Sequence, residues 1–169
     1  MVPWPSRRSE FRYPAGRLPR TAVLVDWFRE NREVRAFPQG WCDQAQRFAP
    51  QAIAGTWPQF QDLMSNPSAA PQRAIVVLAQ PGGALLDAHQ REQLWQAFRV
   101  PVFEQIIGER GQLLAGECEA HQGLHVETAA FSPQEYPLDT SPCPCGRSTP
   151  RVVPSEPAQL MRAVATYAR

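Results

Sequence analysis

Four side chains that commonly bind metal ions occur as two close pairs in the last third of the chain. Cys118 and His125 lie in the run ECEAHQGLH, and Cys143 and Cys145 lie in SPCPCGR. Zinc is usually held by four such side chains in a tetrahedron, with two chain segments each supplying a pair. Because four protein ligands leave no coordination position open, the pattern predicts a structural zinc site within a β-rich segment at residues 112–153.

The same residues allow three alternatives. His121 competes with His125 for one ligand position, since a Cys-x-x-His turn fits as well as the longer spacing and local geometry does not choose between them. Cys143 and Cys145 could instead form a redox pair, although thioredoxin-like sites use Cys-x-x-Cys before a helix. Free cysteines beside a solvent-facing histidine are the third alternative. Cys42 lies far from both pairs in an aromatic segment, which predicts a buried thiol.

Length and composition indicate one folded domain. The 169 residues are 43% hydrophobic and 20% charged, which is typical of a soluble chain with its own core. The formal charge of +1 provides no net field for nucleic acid or an acidic membrane. No run reaches the roughly 20 apolar residues of a membrane span. We therefore expect a cytoplasmic protein that binds neither nucleic acid nor a membrane. In the cytoplasm, cysteines are more often metal ligands or free thiols than disulfides.

The chain contains no lysine, so its 17 permanently positive side chains are all arginines. A compositional bias of the source is the simplest explanation, yet the absence has a chemical consequence. A Schiff base, a P-loop lysine and lysine-dependent acyl transfer are excluded as chemistry for this chain.

The pattern of apolar runs and turn residues predicts an α/β fold. Residues 1–20 are expected to form an extended arm anchored by aromatic side chains, or else to be disordered, ahead of a single domain at 21–169. Residues 21–28 fit either a strand or the first turns of a helix. The predicted strands are 51–55, 73–79, 101–103, 112–117, 123–127 and 151–153, and the predicted helices are 39–48, 57–64, 87–98 and 157–169. The strand, helix and strand between residues 73 and 103 predict a small parallel βαβ sheet with flanking helices.

The stretch PVFEQIIGERGQLLAGECEAHQGLHVE resembles the core of the phenylacetate–coenzyme A ligase group of adenylate-forming (AMP-binding) enzymes. Members carry a strand ending in Tyr-Gly-x-Thr/Ser-Glu and then a Glu-Cys-x4-Gly-Leu-His segment. Some of them bind zinc through that Cys and His together with a downstream Cys-x-Cys. The matching residues here are Glu117, Cys118, Gly123, Leu124, His125, Cys143, Cys145, Gly146 and Arg147. The resemblance covers roughly residues 50–153, and it favours His125 over His121 as the zinc ligand.

The chain departs from that family where the family binds nucleotide. The position of the Tyr-Gly-x-Thr-Glu motif reads Ile106-Ile107-Gly108-Glu109-Arg110, and Glu109 or Arg110 takes the acidic place depending on a one-residue shift. A Gly/Ser/Thr-rich phosphate loop, a lid domain and the lid lysine are also missing from the sequence. ATP-dependent activation needs charge-stabilising groups around the phosphates. The resemblance therefore implies a truncated, catalytically degenerate subdomain without independent ligase activity.

Two functions follow from these observations. The first is a non-catalytic, zinc-stabilised relic that acts as a binding or assembly protein, with a protein partner or a second copy contacting Trp57, Trp95 or the arm. The alternative is a module that binds an acyl or aryl acid, acyl-CoA or nucleotide, or a subunit of a split acyl-CoA ligase. Its pocket is expected near the carboxyl ends of the parallel strands. The candidate pocket residues are Gly82, Gly83, Glu104, Ile107, Gly108, Glu109 and Arg110, whose charged members are also explained by a solvated turn.

Overall fold

The computed structural model describes residues 8–129, 131–134 and 136–154. In these ranges the chain forms a nine-stranded sheet, a separate pair of short strands and three helices. The strands are β1 Ser9–Glu10, β2 Thr21–Val23, β3 Phe28–Arg29, β4 Val34–Ala36, β5 Ala52–Gly55, β6 Ala74–Ala79, β7 Val102–Ile107, β8 Leu113–Glu117, β9 Leu124–Val126, β10 Leu138–Asp139 and β11 Arg151–Val152. The helices are α1 Asp43–Phe48, α2 Trp57–Met64 and α3 Ala88–Phe98. The helix predicted at 157–169 lies outside the described residues.

The large sheet is parallel at one end and antiparallel at the other. Its strand order is β10-β11-β9-β8-β7-β6-β5-β2-β4. Strands β4, β2, β5, β6 and β7 pair in parallel, whereas all pairs from β7 to β10 are antiparallel. The chain passes from β2 outward to β4 and then returns to β5 on the other side of β2. In open α/β sheets such a reversal leaves a crevice at the carboxyl ends of the strands, where ligands bind.

The predicted α/β class is confirmed, but the sheet is larger and more mixed than the small parallel sheet expected from the sequence. Strand β7 continues to Ile107, beyond its predicted end at residue 103. Its far edge then pairs with β8, with a register shift between Ile106 and Ile107. The β-rich segment therefore extends the main sheet, and it is not a separate unit.

Side chains of the parallel strands alternate between two cores, as the two-residue period of a strand requires. Ile75 and Val77 of β6 face a core that is covered by α2 and α3. Val76 faces the opposite core, which includes Phe11 of the N-terminal arm. Phe11 packs edge-to-face on Phe28, with ring centroids 5.2 Å apart. The described part of the arm therefore packs on the domain.

The outer edge of β4 has its backbone donors bonded within the chain. The Asn31 side-chain oxygen accepts from the Val34 N–H at 2.9 Å, and the Glu30 carboxylate accepts from the Ala36 N–H at 2.7 Å. Because these N–H groups are already bonded to side chains, they are not available to an additional strand.

Gly111→Ala is expected to destabilise the fold by about 2–3 kcal/mol. Gly111, in the turn between β7 and β8, has a φ of +74°, and an added Cβ would lie 2.2 Å from the Trp27 carbonyl oxygen. Gly16→Ala is the matched control, because Gly16 has a φ of +70° but open space around it. The control should cost only about 1 kcal/mol. Urea denaturation measures both costs, and equal values would contradict the predicted clash.

Candidate metal centre

The structure brings Cys118, His125, Cys143 and Cys145 together at the antiparallel end of the sheet. Cys118 directly follows β8, His125 lies in β9, and the other two cysteines lie in the loop between β10 and β11. Strand β9 pairs with β8 on one side and with β11 on the other. The strand pairing itself therefore places the two ligand-bearing segments side by side.

The four ligand atoms all lie within 4.8 Å of one another. Cys118 Sγ is 3.7 Å from Cys143 Sγ, and Cys145 Sγ is 3.3 Å from His125 Nε2. Zinc–sulfur bonds of about 2.3 Å and zinc–nitrogen bonds of about 2.0 Å place the ligand atoms of a tetrahedral site roughly 3.5–3.8 Å apart. Three of the residues are buried and Cys145 is exposed. The cluster that the sequence predicted is thus formed, and its geometry is compatible with zinc.

His125 belongs to this cluster, and His121 does not. The His121 ring stacks on Phe103 with centroids 4.6 Å apart, and its Nδ1 lies 3.9 Å from a Glu117 carboxylate oxygen. Cys42 also lies outside the cluster. The prediction of a buried Cys42 thiol is wrong, because this residue is exposed at the N-terminal boundary of α1.

Two further side chains, which no sequence pattern marks, contact the segments that carry the cluster. His125 Nδ1 lies 2.9 Å from Thr149 Oγ1, a contact that leaves Nε2 facing the cluster. Arg151 is 1% exposed, and it donates to the Gln122 carbonyl at 2.9 Å and to Ser141 Oγ at 3.0 Å. No sequence signal marks these residues, because the contacts depend on the register of β9 against β11.

The thiols of the cluster differ in acidity. Burial raises the pKa of Cys118 to about 11, whereas hydrogen bonds, first of all from the Cys145 backbone, lower the pKa of Cys143 to about 6. Metal binding needs both as thiolates. A divalent cation at the centre of the cluster would supply the charge that makes a buried Cys118 thiolate favourable.

Arg91 of α3 forms ion pairs with two buried glutamates. Its Nη2 lies 2.9 Å from Glu104 Oε2 and its Nη1 lies 3.1 Å from Glu117 Oε1. The Glu117 carboxylate also accepts from the Glu104 N–H at 2.7 Å, and the Glu104 carboxylate accepts from the Leu86 N–H at 2.8 Å. Because Glu117 immediately precedes Cys118, this network connects the metal-binding segment with α3.

A cleft of about 400 Å³ opens at the carboxyl ends of the parallel strands. Trp27 follows β2, Thr56 and Trp57 follow β5, and the predicted pocket residues Gly83 and Glu104 also line the cleft. Glu104 is the single ionisable residue among the described lining residues. Trp27 and Thr56 were not predicted to lie here, because the order of strands in the sheet cannot be read from the sequence.

The other candidate pocket residues lie elsewhere. Gly82, Gly108 and Glu109 line a second cleft of about 580 Å³. Ile107 is 1% exposed within a core, and Arg110 lies in an exposed turn. The structure therefore divides the predicted pocket between two clefts, a core and a turn.

Glu104→Gln is expected to change how stability depends on pH. Burial raises the pKa of Glu104 to about 7, above its ordinary value of 4.5. Between these values the folded chain binds more protons at this site than the unfolded chain does, so the contribution of Glu104 to stability falls as the pH rises. The uncharged amide removes this effect. Between pH 4.5 and pH 7 the unfolding free energy of the variant should therefore fall less than that of the wild type, by on the order of 2 kcal/mol.

Urea denaturation from pH 4.5 to pH 7, at constant saturating zinc, measures the difference. Glu92→Gln is the control, because Glu92 is exposed on α3 and accepts only from Gln96 among the described residues. Coincident pH profiles for the wild type and Glu104→Gln would contradict the expectation.

Comparison of the sequence with models of protein families gives no match, and a search of curated proteins finds no significant match. The resemblance to the phenylacetate–coenzyme A ligase group is therefore carried by the motifs alone. Among the described residues, no helix combines the length and the apolar character needed to cross a bilayer.

Proposed function

We propose that this chain is a zinc-stabilised, non-catalytic binding or assembly module built on one subdomain of the adenylate-forming ligase scaffold. The observation that carries the proposal is the group Cys118, His125, Cys143 and Cys145, whose ligand atoms lie within 4.8 Å of one another. Four protein ligands fill a tetrahedral zinc site and leave no position for water or substrate, so the ion stabilises structure and performs no hydrolysis. A reducing cytoplasm, which preserves thiols, is the compartment that suits such a site.

Two features favour binding over ATP-driven acyl activation. The chain has no lysine. Ile106 and Ile107, which stand where the family places part of its nucleotide-binding motif, are 0% and 1% exposed, so their side chains do not face a bound nucleotide. The role that remains is contact with a protein partner or a second copy. Trp95, which is 44% exposed, is a candidate contact residue because exposed tryptophans are enriched at the energetic centres of interfaces.

The metal content of the purified protein, measured by plasma mass spectrometry, tests the zinc site. We expect about one zinc per chain, as one four-ligand site requires. Cys145→Ser removes one ligand and should lower the zinc content well below that of the wild type. Cys42→Ser is the matched control, because Cys42 is an exposed thiol outside the cluster. Freshly prepared protein without metal, or equal zinc loss in both variants, would overturn the site.

The non-catalytic part of the proposal needs a separate assay. The zinc-loaded protein, incubated with ATP, coenzyme A and phenylacetate, is expected to release no AMP above the background of a protein-free control. AMP release that depends on the carboxylate would overturn the non-catalytic role and would leave the zinc site unaffected.

The cleft at the carboxyl ends of the parallel strands favours a second candidate function, the binding of a small acyl or aryl ligand. Its lining combines Trp27 and Trp57 with Thr56, Gly83 and Glu104, which is the mixture of apolar surface and few polar groups typical of ligand sites. No described lining residue is cationic, so the cleft itself offers no counter-charge for the phosphates of a nucleotide or coenzyme A.

Isothermal titration calorimetry with phenylacetate, phenylacetyl-CoA and ATP tests this candidate. Binding of phenylacetate that Trp57→Ala weakens and Trp95→Ala preserves would support it. The absence of heat with all three compounds would remove it, together with the related proposal of a split ligase subunit.

A further inference from the structure

A groove with three arginines runs beside the edge strand β4. Arg20, Arg35 and Arg47 line this groove, whose volume is about 840 Å³. Arg20 directly precedes β2, Arg35 lies in β4, and Arg47 lies in the last turn of α1. Phe37 and Phe48 add apolar surface. Three separate elements thus bring exposed guanidinium groups to one place.

These three guanidinium groups have no carboxylate partner within the described part of the chain. Arg47 Nε donates to the Asp43 carbonyl at 3.3 Å, and Arg35 lies over the Phe48 ring, 5.2 Å from its centroid. These contacts position the two side chains and leave their terminal Nη atoms without an acceptor among the described residues. The arginines that do pair with carboxylates are Arg8, Arg12, Arg29, Arg91, Arg147 and Arg151.

The single acidic residue among the described lining residues is already engaged. Glu30 uses Oε1 to accept from the Ala36 N–H. The three arginines therefore form a local positive patch on a chain whose formal charge is only +1. Glu30 keeps its negative charge and offsets one of the three positive charges, so the lining retains an excess of positive charge, and a ligand with several negative charges lowers the local potential.

The chemistry of the groove distinguishes among anionic ligands. Nucleic-acid binding draws much of its affinity from neutralising several successive phosphates, and the described lining of the groove supplies three arginines. Arginine binds phosphates as well as carboxylates, but many phosphate sites add backbone N–H donors, and the outward N–H groups of Val34 and Ala36 are bonded to side chains. A peptide with several carboxylates spreads its charge along a chain, and each carboxylate can accept two hydrogen bonds from one guanidinium group.

We infer that the groove lined by Arg20, Arg35 and Arg47 binds an acidic peptide segment of a protein partner. The inference rests on the proposed binding role and names the chemistry of the partner. Since the outward N–H groups of β4 are occupied, the segment is held through side chains and does not extend the sheet as an added strand.

Fluorescence anisotropy with labelled hexaglutamate tests this inference on the zinc-loaded full chain at low ionic strength. We expect hexaglutamate to bind, its affinity to fall as salt is added, and hexaglutamine to show no binding. The double variant Arg35→Gln/Arg47→Gln should weaken binding about tenfold. The control double variant Arg99→Gln/Arg110→Gln removes the same charge outside the groove, and it should retain wild-type affinity.

Each other outcome overturns the inference in a different way. Equal weakening in the two double variants would show that net charge, and not the groove, attracts the peptide. Binding of inorganic tripolyphosphate through Arg35 and Arg47 without hexaglutamate binding would assign the groove to a small phosphate ligand. Dimerisation lost only in Arg35→Gln/Arg47→Gln would assign it to a second copy. Failure of all probes with full zinc content would remove this inference and leave the proposed zinc-stabilised module standing.

Discussion

Removal of the proposed zinc is expected to lower the melting temperature of the purified protein by about 10 °C. Strands β9, β10 and β11 contain only 3, 2 and 2 residues, and their own core cluster is small. Structural zinc contributes roughly 10–16 kcal/mol in small zinc domains that have little other core. The parallel half of this sheet has two cores of its own, so we expect the loss of only about 3–5 kcal/mol. For a chain of this size, each kcal/mol of lost stability lowers the melting temperature by roughly 2–4 °C.

Thermal melts followed by circular dichroism, with and without a strong chelator, measure this effect. Cys118→Ser should behave as the chelated wild type, whereas Cys42→Ser should melt as the zinc-loaded wild type does. Hydrogen exchange then locates the change: amide protection should fall in β8 to β11 and persist in β5 and β6. A chelated protein that melts and exchanges as the zinc-loaded protein does would contradict a structural role for the metal.

Arg91→Met is expected to destabilise the fold by about 3–5 kcal/mol near neutral pH. The variant keeps much of the side-chain volume but removes the guanidinium group that pairs with Glu104 and Glu117. The side chains of these glutamates are only 1% and 2% exposed, so their carboxylates would be left buried without a cation. Burial already raises the pKa of both groups, so acid should protonate them and reduce the cost. The destabilisation should therefore be smaller at pH 5 than at pH 8.

Urea denaturation of Arg91→Met at the two pH values checks both the size and the direction of this effect. Arg99→Met is the control, because Arg99 is exposed at the C-terminal end of the same helix and bonds only to the Gln96 side chain among the described residues. A cost below about 1 kcal/mol, or one that does not depend on pH, would show that the two glutamates do not rely on Arg91.

The local features of this fold could be predicted because they depend on residues close together in the chain. Asp87 begins α3 as expected, since its carboxylate accepts from the Gln90 N–H while the Gln90 side chain accepts from the Asp87 N–H. The run of residues that forms β6 is apolar on both faces, as a strand between two cores must be. The grouping of Cys118 with the Cys-x-Cys pair was readable from residue type and spacing, whereas spacing left His121 and His125 open and the family resemblance favoured His125.

Features that depend on strand order and register could not be predicted. Ile107 belongs to the end of a long buried strand, and its apolar run alone gave no sign that β8 would pair beside it. Trp27 and Trp57 meet in one cleft because the strand order reverses between β2 and β5. The Arg91 network joins a helix to two strands, so no spacing in the sequence marks it. Cys42 was placed wrongly because aromatic neighbours in sequence do not show which side of a short helix is covered.

The placement of β7 between the parallel and antiparallel halves has a consequence for the metal-free protein. One edge of β7 is covered by β6, and the other is covered only by β8, whose own neighbour β9 carries His125. If the antiparallel strands separate when the proposed zinc is absent, the six residues of β7, four of them apolar, expose a row of unpaired backbone groups. Such a strand pairs readily with the same strand of another molecule. If the proposed zinc is bound, zinc-starved cells should therefore accumulate this chain as insoluble aggregates, and zinc supply during expression should decide its soluble yield.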